Sequence, residues 1–88
     1  MAATNCSSAA ERVQSALARR RAEAIADVTR RIEGAIAAGE LPADTDAQDL
    51  ANFYATVYQG MSMQAKDGAT REALLATVKA AMRAWPAR

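Results

Sequence analysis

The sequence predicts an all-α fold on three observations. Alanine dominates a chain that is 51% hydrophobic and 24% charged but only 5% aromatic, a composition rich in helix formers and poor in the β-branched and aromatic residues that favour strands. Apolar residues recur at intervals of three and four rather than two. Gly39, Pro42, Gly68 and Pro86 fall between or after these periodic segments, where they read as helix ends. The 88 residues fit a single helical domain, 1–88, and a chain this short buries only about 60 to 65% of the surface that its unfolded form exposes. A second chain is therefore expected to contribute.

The first helix is expected over about 9–38. Ser8-Ala9-Ala10-Glu11 has the spacing in which a serine hydroxyl and a glutamate carboxylate satisfy each other's free amides at a helix start. Val13, Leu17, Ile25, Val28, Ile32 and Ile36 then form one apolar arc, and Gly39 supplies a left-handed cap. Gln14 and Arg21 point into that arc. The run Arg19-Arg20-Arg21 fans over about 200° of the helix, with Glu23 and Asp27 in helical reach. It therefore reads as a solvated face, and a formal net charge of +1 gives no bulk attraction for nucleic acid or anionic lipid. Arg21 alone has a sharper reading, as a cation facing a cavity.

The second helix is expected over about 46–65, with Thr45-Asp46-Ala47-Gln48 repeating the capping signature. Its main arc carries Leu50, Phe53, Tyr54, Val57, Tyr58, Met61 and Ala65. Beside it runs a strip of Asn52, Thr56, Gly60 and Met63, where a surface helix would carry lysine or glutamate. Gly60 lowers helix propensity by roughly 0.5 to 1 kcal/mol relative to alanine. Gln64 falls inside the main arc and would need a hydrogen-bond partner if buried.

Asp67-Gly68 closes the second helix, and Thr70 caps a third over about 71–85 that Pro86 stops. Leu74, Leu75, Val78, Met82 and Trp85 form one face of it. Ala73, Thr77, Ala80 and Ala84 form another, of small residues. A helix apolar on two sides needs two partners. The small strips of the last two helices are expected to meet the same strips of a second copy, giving a homodimer joined by an intersubunit four-helix bundle.

The residues exclude most enzyme chemistry. With no histidine and one cysteine, Cys6, the usual nucleophile–base pairs and metal clusters cannot be assembled. Cys6 reads as a small apolar residue at a helix boundary. Asp44, Asp46 and Asp49 are spaced too loosely for a calcium loop, so no metal and no cofactor is expected. There is no transmembrane run and no secretory leader in MAATNCSSAAER, and a cytoplasmic protein with no membrane partner is expected.

The stretch from Gly39 to Pro86, GELPADTDAQDLANFYATVYQGMSMQAKDGATREALLATVKAAMRAWP, resembles the end of the C-terminal regulatory domain of TetR-family transcriptional regulators. The likeness lies in GELPADTD before one helix, QGMSMQAKDGA at its end and a final helix closing on Ala84-Trp85-Pro86; it extends upstream through TNCSSA. The resemblance implies a bacterial regulator, most often a repressor, with two parts: a helix-turn-helix that reads operator DNA, and a helical domain that dimerises and binds a small-molecule effector. Its effector cavity would take apolar and aromatic surface from Phe53, Tyr54, Tyr58 and Met61, with Arg21 as the polar group. The chain would then be a piece of that second part, with DNA binding in an N-terminal domain outside it. The alternative is a freestanding helical interaction module.

Overall fold

The computed structural model describes the backbone of residues 2–87 and the side chains of residues 7–87. It is all-α, with α1 over Ala2–Ala37, α2 over Ala47–Lys66 and α3 over Arg71–Met82. Helix α1 starts ahead of the expected Ser8 cap, so Ser8 and Glu11 lie within the helix. No proline or glycine precedes Ser8, and serine and threonine cost a helix only tenths of a kcal/mol each. A capping signature therefore permits a start without forcing one. Cys6 lies inside α1 rather than at its boundary, and its side chain lies outside the described residues.

The other ends follow their capping chemistry. At Gly39, φ is 79°; the Glu40 amide donates to the Ala35 carbonyl at 2.9 Å, and the Ala38 amide to Gly34 at 3.0 Å. Left-handed glycine lets the chain turn back and satisfy the last carbonyls. Gly68 repeats the device with φ of 92°, the Ala69 amide donating to the Gln64 carbonyl at 2.9 Å. Thr70 caps α3 through the Ala73 amide at 3.1 Å. At α2 the cap is Asp46, which accepts from the Asp49 amide at 2.9 Å, one residue later than the expected Thr45. Aspartate is the better cap, and the Thr45 hydroxyl is left buried with no hydrogen-bond partner.

Helix α3 ends at Met82, three residues short of expectation. Beyond it the Arg83, Ala84 and Trp85 amides donate three residues back, to Ala80, Ala81 and Met82, at 3.1 to 3.2 Å, so the last turn tightens. Pro86 is the cause: it has no amide to continue the ladder and disfavours helical geometry in the residue before it.

The core is small and sits where α1 and α2 converge. Ile32, Leu41, Ala47 and Ala51 are buried there, with Ile25, Ala35, Ile36 and Leu50 packed around them. Thr29 is buried beside them, its hydroxyl donating to the Ile25 carbonyl at 2.7 Å, so no polar atom is stranded. Helix α1 packs on α2 and α2 on α3, and among the described residues nothing joins α1 to α3.

The result is one helix thick. The chain measures 58 × 32 × 13 Å, with a radius of gyration of 17.2 Å, where a compact domain of this length would have about 12 Å. Its accessible surface is 6839 Å² against about 5,000 Å² for a compact monomer of its mass. Stable domains bury their apolar faces between at least two layers, and this one has a single layer. Large apolar residues consequently lie open on every helix: Val13 and Leu17 on α1, Phe53 and Met63 on α2, Leu75, Val78 and Met82 on α3.

Candidate ligand cleft and subunit surface

Beside the core, α1 and α2 leave a cleft between them of about 320 Å³. Its walls are Ala24, Ile25 and Val28 from α1 and Ala51, Tyr54 and Ala55 from α2. Arg21, Tyr58 and Gln59 complete the lining. Small alanines make the hollow, because larger side chains at their positions would fill it. Ala51 is 2% exposed and forms the floor, whereas Tyr58 is 73% exposed and stands at the mouth.

Of the five residues expected around an effector, Arg21, Tyr54 and Tyr58 line this cleft and Phe53 and Met61 do not. Phe53 turns to a second hollow, shared by the α1–α2 connection and the segment after α3, with Asp44, Asp46 and Asp49 at its edge and Ala84 and Pro86 opposite. Met61 is half-buried away from both. The residues missed from sequence are Ala24, Ile25 and Val28 on α1 and Ala51, Ala55 and Gln59 on α2. Ile25 and Val28 are expected on the apolar arc but not at a cleft, and nothing distinguishes the three alanines in a chain so rich in alanine; only the helix pairing selects them. Among the described residues no group of histidine, cysteine or acidic side chains is arranged to hold a metal ion.

Tyr54 belongs to the cleft and to the α2–α3 contact at once. Its hydroxyl donates to the Ala81 carbonyl at 2.8 Å. Its ring lies 4.9 Å from that of Phe53 at 79° and 5.9 Å from that of Trp85 at 54°, both within the range of favourable aromatic packing. Ala81 is the buried residue of α3, and Leu74 is half-buried. The seat of α3 is thus one small residue under one tyrosine, not the expected face of large apolar side chains, of which Leu75, Val78, Met82 and Trp85 are 40 to 55% exposed. An alanine is needed there because a larger side chain would hold the tyrosine off the carbonyl.

The eight residues of the two small strips, Asn52, Thr56, Gly60, Met63, Ala73, Thr77, Ala80 and Ala84, are all exposed. A Cβ added to Gly60 would meet no atom within 4 Å. The Thr56 hydroxyl donates to the Asn52 carbonyl at 2.9 Å and the Thr77 hydroxyl to Ala73 at 3.0 Å, so both strips have their hydroxyls satisfied within their own helix. Gln64 is exposed, and its side chain needs no partner within the chain.

Charge on α1 pairs differently from expectation. Asp27 pairs with Arg30, one turn on, and among the described residues no ion pair involves Arg19, Arg20 or Arg21. Asp27 lies six or more residues from Arg19, Arg20 and Arg21, beyond the three or four over which helical side chains meet, whereas Arg30 is three residues on.

The family model for the tetracycline-repressor-like C-terminal domain matches residues 1–81. The HTH-type transcriptional repressor ComR of Escherichia coli (strain K12) is 40% identical over 50 residues, covering 57% of this chain and 24% of ComR. Two solved structures of cysteine mutants of the TetR family transcriptional regulator CifR, complexed with 26-bp double-strand operator DNA, superpose with a TM-score of 0.80 at 53% identity. The alignment covers 86% of this chain and 40% of CifR. The chain thus spans about a quarter to two fifths of the relatives it matches.

Proposed function

This chain belongs to the TetR family of transcriptional regulators, as a tetracycline-repressor-like C-terminal domain, and on that premise we propose that it is the dimerising and effector-sensing portion of a repressor. The family is one of DNA-binding regulators rather than enzymes. Helices α2 and α3 of two copies meet through their small strips as a four-helix bundle. The α1–α2 cleft receives a small effector. Operator DNA is read by a helix-turn-helix outside these 88 residues. Effector binding changes the angle between α1 and α2, alters the spacing of the paired DNA-reading heads, and so lowers operator affinity by a coupling between distinct sites.

One observation carries this reading: all eight strip residues lie uncovered in a chain one helix thick. Small side chains let backbones approach closely, and the internally bonded threonines can be covered without stranding a donor. Among the described residues no helix is long and apolar enough to cross a membrane, and the protein is assigned to the cytoplasm, where the operator of a bacterial repressor lies.

Sedimentation of the chain tests the dimer directly. A dimer is expected in the micromolar range; a folded monomer persisting at high micromolar concentration would sink this reading.

A further inference from the structure

We infer that the α1–α2 cleft takes a small amphipathic organic anion, an apolar body with a terminal carboxylate, held at its charged end by Arg21. This rests on the proposed sensing role and names the class of molecule sensed. The cleft walls are aliphatic and aromatic, no carboxylate lines them, and Arg21 is the one charged residue of the lining. Its helical neighbours three and four residues away, Leu17, Ala18, Ala24 and Ile25, are all apolar, so its own helix offers it no counter-ion. The ion pair that α1 does form, Asp27 with Arg30, leaves it untouched.

An unpaired guanidinium beside an apolar hollow favours a planar anion, which it can bind in two-pronged fashion. A cation is repelled there, and a neutral body gains nothing from the guanidinium, which is exposed and keeps its water. The Tyr54 hydroxyl is already committed to the Ala81 carbonyl, leaving Tyr58 and Gln59 as further donors at the mouth. The cleft, at about 320 Å³, lies near the lower end of small-molecule sites.

Calorimetric titration of the chain with octanoate, octanol and octylammonium tests this. Octanoate should bind roughly fivefold or more tightly than octanol, the scale of an exposed charge pair, and octylammonium more weakly than either. Arg21→Gln should abolish the preference with helicity unchanged by circular dichroism, and Arg21→Lys should keep part of it. Equal affinity for octanoate and octanol, or a preference that survives Arg21→Gln, overturns the anion assignment while leaving an apolar sensing cleft in place. No binding by any of the three overturns the sensing role as well. Octanoate that splits a dimer into monomers in sedimentation would assign the cleft to a second copy and overturn the inference.

Discussion

Tyr54 serves three parts of the structure at once. It floors part of the cleft, packs between Phe53 and Trp85, and ties α2 to α3 through the Ala81 carbonyl. Tyr54→Phe keeps the ring and removes only that hydrogen bond, so denaturant unfolding should report a loss of about 1 kcal/mol. Ala51 is the opposite case, a residue that matters by being small. At 2% exposure against Ile32 and Leu41, Ala51→Leu should cost about 1 to 3 kcal/mol by overpacking, visible as a lower melting temperature. It should also narrow the ligand cleft, because Ala51 is its floor.

At the scale of elements the sequence was most readable where backbone chemistry leaves few choices. Gly39, Gly68, Thr70 and Pro86 each end or begin a helix for a reason intrinsic to the residue, and α2 came within one residue at both ends. Gly39→Ala should cost about 1 to 2 kcal/mol, since alanine is strained at φ of 79°, and the midpoint of thermal unfolding checks it. The start of α1 was not readable, because Ser8-Ala9-Ala10-Glu11 is as acceptable inside a helix as at its end. Faces were readable only in part. Periodicity correctly placed Ile25, Ile32 and Ile36 toward α2, but of the same arc Val13 and Leu17 stay open where α1 outruns its partner, and Val28 stays open as a wall of the cleft. The seat of α3 on Ala81 and the alanine-lined cleft depend on which helices approach closely. That is a tertiary fact with no trace in the period, whereas Arg21 was traceable as the lone cation on an apolar arc.

For the whole molecule the excess of surface sets what association must do. Roughly 1,800 Å² separates the observed surface from that of a compact chain of equal mass, more than twice the about 800 Å² that a standard interface covers on each partner. The proposed dimerisation through the small strips would cover part of it, and α1 would keep apolar residues for another layer. Gly60 separates the two demands. Gly60→Ala should stabilise the helix by about 0.5 to 1 kcal/mol, because its Cβ meets nothing in the chain. Gly60→Leu should weaken self-association, and sedimentation in which the leucine variant associates like the parent would put the subunit surface elsewhere.

Because among the described residues α1 and α3 touch only through α2, the three helices act mechanically as links in series. Compliances in series add, so the softer joint determines how much of a displacement at α1 arrives at α3. The α1–α2 joint is a packed apolar cluster; the α2–α3 joint rests on one alanine, one ring and one hydroxyl. Under the proposed sensing role Tyr54 would set the gain of that relay, and Tyr54→Phe, which keeps the ring in the cleft and releases the Ala81 carbonyl, should mute the signal that reaches α3.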